Sequence, residues 1–269
     1  MLYGIFLGTL VVASSLCWPL AWLGLELNLL SFIPVAMPLH VNKKGAMLYF
    51  VAQSGGSLMV MLCGMMSDVG SAMYLGLLVG VVVKMGLMPM HFWVPNVVQG
   101  LSRSSLYLLL SWQKLGPLVL VSSLSSSLVV LSVVNAVGGA VSMTSVTILS
   151  MLLVFSGMLQ MSWVLSVSGF FCVYYLAVYF VIMGVVVYYS TLNSLNFGWA
   201  LLNAGGLPPL SGFMIKFKAI MQIKSWTVVL LVASSGLALG SYVRILMNAG
   251  VKSGVPTVPL VGVSALGMV

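Results

Sequence analysis

The sequence has 269 residues, of which 61% are hydrophobic and only 4% charged, with a mean hydropathy of +1.20. Soluble domains carry about 25% charged residues, so this chain cannot dress a water-facing surface, and lipid is its solvent. The net charge of +8 comes from ten Lys and Arg set against Glu26 and Asp68. Several of the basic residues stand singly in apolar runs, which excludes nucleic-acid binding, since that needs them clustered on one exposed face.

In lipid every backbone group must be satisfied within its own segment, so the spans are helices. One span takes about 20 apolar residues, and the length permits about ten or eleven of them, a polytopic all-α bundle. The first helix covers about 2–17; it has no basic start and is not Arg-rich, and it reads as part of the bundle rather than as a signal or transit peptide. The second covers about 19–37 and ends at Pro34 and Pro38, with His40, Asn42, Lys43, Lys44 and Gly45 forming a loop. The third runs from about 46 to 66 and stops at Ser67-Asp68. The fourth begins near Gly70 and is interrupted by Pro89 and Pro95, which remove backbone donors.

A fifth helix is expected over about 104–124, a turn at Ser122 to Ser127, and a sixth helix to about 140. The seventh and eighth follow at about 144–164 and 168–190, and Thr191, Asn193, Ser194 and Asn196 mark a loop. The segment 197–225 is broken in its middle by Gly205-Gly206-Leu207-Pro208-Pro209. The last segments are about 227–248 and a short one at 255–269. Lys43, Lys44 and Arg103 then fall on one face, which the positive-inside rule makes the side of synthesis. There is no fixed-period repeat, but the two Gly/Pro-interrupted segments, one in each half, are the pattern that points to a transporter's ion path.

A charged side chain at mid-bilayer costs about 2.5–3.5 kcal/mol on insertion scales. Glu26 in WLGLELNLL, Lys84 in VVVKMG, Lys114 in LLLSWQKLG and Lys216 in GFMIKF all meet that cost, roughly 12 kcal/mol together. With about ten residues on either side at 1.5 Å each, Lys114 stands roughly 15 Å from both ends of its helix, at the midplane. A structural ion pair of Glu26 with Lys84 is one reading. It cannot account for three lysines against one carboxylate. Burial favours the neutral amine and a nearby carboxylate favours the ammonium, so a lysine between those influences can take up and release a proton. The four residues are therefore candidates for a proton relay.

His91, beside the first break, is either a relay member or a packed histidine. Asp68 and Arg103 sit at helix ends, while Lys218, Lys224, Arg244 and Lys252 are expected to snorkel or face water. Lys218 lies about 200° round the helix from Lys216, so the two cannot share one internal path. Cys17, Cys63 and Cys172 read as small buried hydrophobes rather than as a disulfide or metal site. His40 and His91 are too far apart to suggest a metal cluster. Trp18, Trp93, Trp112, Trp163, Trp199 and Trp226 fall mostly near predicted helix ends, as interfacial aromatics do. With no nucleotide-binding glycine loop, no CxxC and no Ser/His/Asp set, the chain has no site of its own for NADH or ATP chemistry.

Four stretches carry a resemblance: Trp22 to Pro34 (WLGLELNLLSFIP), Lys84 to Gly100 (KMGLMPMHFWVPNVVQG), Trp112 to Pro117 (WQKLGP) and Gly205 to Lys216 (GGLPPLSGFMIK). They resemble, in the right order over about residues 1–250, the family of mitochondrial NADH dehydrogenase subunit 2, an antiporter-like membrane subunit of respiratory complex I. The resemblance implies an all-helical bundle with two discontinuous helices, and a start about three helices later than in bacterial relatives. It implies that Glu26 matches the glutamate that pairs with the lysine matched by Lys84. Lys114 then matches the central lysine, and Lys216 that of the second broken helix. There are departures: Asn96 lies where the family usually has an acidic residue, and Ser150-Met151 stands where it usually has an Arg-Lys pair. In the following run VFSGMLQMSW, Gln160 stands where histidine is common.

The expectation is therefore a single transmembrane domain over 1–269, multi-pass in the mitochondrial inner membrane, translocating protons as a complex I subunit. Its partners would be other membrane subunits, the lipid bilayer and protons. No cofactor is expected in this chain; NADH, FMN, iron–sulfur clusters and ubiquinone belong elsewhere in the complex. The rival readings are a free-standing cation/proton antiporter and a structural spacer with no active relay.

Overall fold

The computed structural model describes residues 2–36, 43–66, 70–121, 128–190, 195–208 and 210–253. Of the expected turns, His40, Asn42, Ser67, Asp68, Ser122 to Ser127, Thr191, Asn193 and Ser194 lie outside them, as do Pro209 and the segment 255–269, whereas Lys43, Lys44, Gly45 and Asn196 are helical rather than in loops.

Helices α1 (Leu2–Ser14) and α2 (Trp18–Ala36) form an antiparallel pair, and α3 (Lys43–Met65) packs between α2 and α4 (Ser71–Met85). Pro34 lies inside α2, in its last turn, where the missing N–H forfeits a single bond before the helix ends at Ala36. Beyond α4 come the short helices α5 (Trp93–Val98), α6 (Arg103–Leu110) and α7 (Leu115–Val121). Longer helices follow: α8 (Leu128–Ser145), α9 (Leu149–Ser166) and α10 (Phe170–Tyr189). The described chain ends with α11 (Leu195–Gly205), α12 (Ser211–Gln222) and α13 (Thr227–Ser253). Six of these helices are long and apolar enough to cross a membrane alone, and α1 and α4 are shorter apolar helices. Helix α9 is the axis of the bundle. Every residue from Met151 to Leu165 is buried, and α5, α6, α8, α10 and α13 pack around it.

Both expected interruptions are present and close in the same way. Helix α4 stops at Gly86, in the left-handed region at φ 64°; Gly86 N–H bonds Val83 O at 3.1 Å and Leu87 N–H bonds Val82 O at 3.2 Å. Helix α11 stops at Gly206, φ 85°, with Gly206 N–H to Asn203 O at 3.1 Å and Leu207 N–H to Leu202 O at 3.3 Å. This paired closure recovers two of the carbonyls a helix end leaves without partners, and it needs a residue without Cβ at the left-handed position. Pro89 follows the first stop, whereas Pro95 lies inside the first turn of α5 and breaks nothing, because the N–H it lacks has no intrahelical partner there.

A third interruption corrects the continuous helix expected at 104–124. Helix α6 ends at Ser111 (φ −108°, ψ −81°), and Trp112–Lys114 form a 3-10 turn before α7. Pro117 removes the bond to the Gln113 carbonyl and its ring crowds that oxygen, so the chain tightens to Lys114 N–H on Ser111 O at 3.2 Å. The Ser111 hydroxyl bonds Tyr107 O at 2.6 Å.

Candidate functional site: a line of buried amines

Glu26 projects from α2 and is half-buried. Its Oε1 accepts a hydrogen bond from the fully buried Ser57 hydroxyl on α3. Among the described residues no amine forms an ion pair with it, and this corrects the direct pairing with Lys84. The reason is the position of α3 between α2 and α4. Gly56, next to Ser57, takes the stem of Lys84 against its bare backbone: a Cβ there would lie 3.0 Å from Lys84 Cγ and 3.1 Å from Gly80 O. Ser57 and Gly56 thus serve the carboxylate and the lysine from successive residues of one helix. The Glu26 carboxylate still lies within electrostatic reach of the Lys84 amine.

Lys84 and Lys114 are each 6% exposed, and both line one cavity between α3, α4, α6 and α9. About 30 Å³ of it is open to a water centre, room for roughly two waters at about 10–15 Å³ each. Tyr49, Gln53 and Gln113 supply polar walls, and Val154 and Met158 of α9 an apolar one. Gln53 Nε2 donates to Lys84 O at 3.0 Å and Trp93 Nε1 to Val83 O at 3.0 Å, so side chains occupy carbonyls at the end of α4. Gln113 Nε2 donates to Asn28 Oδ1 at 3.0 Å and ties the 3-10 turn under Lys114 to the helix that carries Glu26.

The second interruption repeats this chemistry. Gln160 Nε2 on α9 donates to Ala204 O at 3.2 Å, and Lys216 Nζ, from the following half-helix, donates to Gly205 O at 2.8 Å. Lys216 is 6% exposed, while Lys218 is exposed and lies over the Tyr174 ring at 5.6 Å. A smaller cavity of about 10 Å³ has Ser156, Gln160, Tyr175, Tyr179 and Tyr242 among its walls, with Ala204 beside the second break and Ile215 next to Lys216 in the chain. The Tyr175 hydroxyl donates to Gln160 Oε1 at 2.6 Å.

The structure therefore brings Lys84 and Lys114 together at one cavity, holds Lys216 on Gly205 O at the second break, and sets Glu26 on Ser57 across α3 from Lys84. His91 is not brought in. It is half-buried, its Nδ1 lies 3.3 Å from Pro89 O, and its ring stacks on Phe92. Asn96 is exposed, with Nδ2 3.5 Å from Phe92 O, so this departure from the family pattern faces away from the cavities. Arg244 is half-buried and its guanidinium donates to Thr144 O, to Met143 O at 3.1 Å and to Val146 O at 2.6 Å, holding the carbonyl end of α8. Trp163 is fully buried and Trp93 8% exposed, so neither is an interfacial anchor. The three cysteines are free, with Cys17 exposed rather than buried. No group of His, Cys, Asp and Glu able to hold a metal occurs among the described residues. Ser57, Tyr175, Tyr179 and Tyr242 were missed because hydroxyls in apolar helices are cheap enough to pass unnoticed.

Interrupted helices that end on buried amines, inside a bundle with an apolar exterior, define the antiporter-like class of membrane subunit. No family model matches the chain, but individual proteins and structures do. The "NADH-ubiquinone oxidoreductase chain 2" of Lumbricus terrestris is 30% identical over 282 residues, covering 91% of this chain and 84% of that protein. The protein of the same name from Suncus etruscus is 31% identical over 276 residues, covering 87% and 79%. In structure, the chain matches respiratory complex I from Thermus thermophilus with a TM-score of 0.75 and 19% identity, covering 88% of this chain and 67% of the other. The Mrp complex from Dietzia sp. DQ12-45-1b matches with a TM-score of 0.70 and 14% identity, covering 88% and 57%. The chain belongs to the NADH-ubiquinone oxidoreductase chain 2 family.

Proposed function

We propose that this chain translocates protons as a membrane subunit of NADH-ubiquinone oxidoreductase in the mitochondrial inner membrane. Residues 1–269 act as one transmembrane domain beside other membrane subunits of the complex. The relay runs from Glu26 through Lys84 and Lys114 to Lys216, and His91 stands outside it. NADH, FMN, iron–sulfur clusters and ubiquinone are handled by other subunits.

The observation that carries this reading is the cavity shared by Lys84 and Lys114. Two like-charged ammonium groups around one small space repel each other, and the low dielectric of the interior strengthens that repulsion. One proton entering the pair therefore favours expulsion of another. Water in the cavity supplies the hops, and Glu26 biases Lys84 from across α3. A spacer subunit would gain from apolar residues at the same positions, since each buried amine costs free energy and returns none unless it is used.

The test is Lys114→Met in the assembled complex reconstituted into vesicles, read as protons taken up per NADH oxidised. The ratio is expected to fall. A ratio equal to that of the unsubstituted complex would rule out a relay through this residue and favour the spacer.

A further inference from the structure

We propose that Tyr179 is a further member of this relay, the hydroxyl that receives the proton from Lys114 and passes it towards Lys216; the proposal rests on the translocation reading above. Tyr179 comes from α10, is 4% exposed, and its hydroxyl has no hydrogen-bond partner. An unpaired buried hydroxyl costs about 1–3 kcal/mol, and phenylalanine would fill the same space without it.

The position explains the cost. A Cβ placed on Gly157 would lie 3.0 Å from Tyr179 Oη and 3.1 Å from Lys114 Nζ. The two heteroatoms are therefore at most roughly 6 Å apart, a gap that one water or a small swing of the lysine stem closes. Gly157 is a gap in the wall that α9 otherwise makes. Val154 and Met158 of this helix face the cavity of Lys84 and Lys114, and Ser156 and Gln160 face the cavity beyond. Where the helix has no side chain, the amine from one side and the phenol from the other approach.

The other polar groups around the second cavity are committed. Gln160 is held at both ends of its amide, to Ala204 O and by Tyr175, and an amide has no proton to give and take near neutral pH. Tyr175 donates to Gln160, Ser156 donates to Leu153 O at 2.8 Å, and Tyr242 lies beside Ser156. Among these walls Tyr179 has the fully buried hydroxyl that is left with neither a donor nor an acceptor partner. That cavity, about 10 Å³, is about the size of one water centre, and its walls include Ala204 and Ile215, chain neighbours of Gly205 and Lys216.

The step balances. Lys114 ammonium gives one proton to Tyr179 Oη while the hydroxyl proton of Tyr179 passes to a water in the second cavity. One N–H and one O–H bond break and two O–H bonds form. Tyr179 is neutral before and after, Lys114 becomes the amine, and the positive charge has moved one cavity closer to Lys216.

The experiment compares Tyr179→Phe, Tyr179→His and Lys114→Met in the assembled complex, as protons taken up per NADH oxidised in vesicles. Tyr179→Phe is expected to lower the ratio to near that of Lys114→Met, and Tyr179→His, which restores a group able to hop a proton, to recover part of it. A full ratio for Tyr179→Phe beside a lowered one for Lys114→Met overturns the proposal and leaves the relay standing. A higher ratio for Tyr179→Phe than for Tyr179→His overturns it too, because packing favours phenylalanine and proton transfer favours histidine. A full ratio for Lys114→Met overturns the relay and this step with it. Should Tyr179→Phe not assemble, Gly157→Ala sets a methyl group 3.0 Å from Tyr179 Oη and 3.1 Å from Lys114 Nζ, crowding their approach, and is read in the same way.

Discussion

Gly55 and Gly56 are adjacent on α3 and should respond oppositely to the same substitution. Alanine in place of glycine inside a helix gains about 1 kcal/mol, since the glycine loses more backbone freedom on folding. At Gly55 nothing in the chain lies within 4 Å of the added methyl group, so that gain stands. At Gly56 the methyl group meets Lys84 Cγ at 3.0 Å, Gly80 O at 3.1 Å and Val83 Cγ1 at 3.4 Å. The lysine stem can yield, but the Gly80 carbonyl is helix backbone, so α3 and α4 must separate by tenths of an ångström. Overpacking of this kind costs about 1–3 kcal/mol. Net of the helix gain, Gly56→Ala is expected to destabilise by up to about 2 kcal/mol, leaving it about 1–3 kcal/mol below Gly55→Ala. The displaced Lys84 stem should also disturb the cavity shared with Lys114. The assay is the amount of assembled complex on native gels, its thermal inactivation midpoint, and protons taken up per NADH oxidised. If Gly56→Ala equals Gly55→Ala in all three, the close packing of Lys84 on α3 has no energetic consequence and the reasoning fails.

Lys216→Met is expected to reduce proton uptake per NADH oxidised strongly, while Lys218→Met leaves it nearly intact, since one lysine is buried on Gly205 O and the other exposed over Tyr174. Equal losses would mean that the buried position confers nothing. Arg244→Ala should release the carbonyls of Met143, Thr144 and Val146 from a charged donor; at about 1.5–3 kcal/mol for a hydrogen bond to a charged group, α8 and α13 should loosen, with less assembled complex. Undiminished assembly would show that water or lipid replaces the guanidinium without loss.

Much of the architecture is legible along the chain because its causes are local. A 4% charged composition selects lipid as solvent. Gly86 and Gly206 end helices because only a residue without Cβ takes the left-handed closure cheaply, and glycine–proline clusters advertise both sites. Glu26, Lys84, Lys114 and Lys216 stand out because the cost of a charge in an apolar span belongs to the residue and its span, whatever surrounds it. Which group meets each charge does not follow from that cost. The placement of α3 between α2 and α4 gives Glu26 to Ser57 and Lys84 to Gly56, and the pairing suggested by charge alone is indirect. The turn at Trp112–Lys114 needed Pro117 to act three residues further on, and the tertiary structure brings Lys114 and Tyr179 to the same bare backbone at Gly157. Tyr179 is unremarkable in the sequence, and what Gln160 and Arg244 bond cannot be read there, since a hydroxyl, an amide or a cation near a helix end costs little until its neighbours are known. Those neighbours come from how the helices cross, and a helix crossing is a property of two surfaces that no single stretch of residues contains.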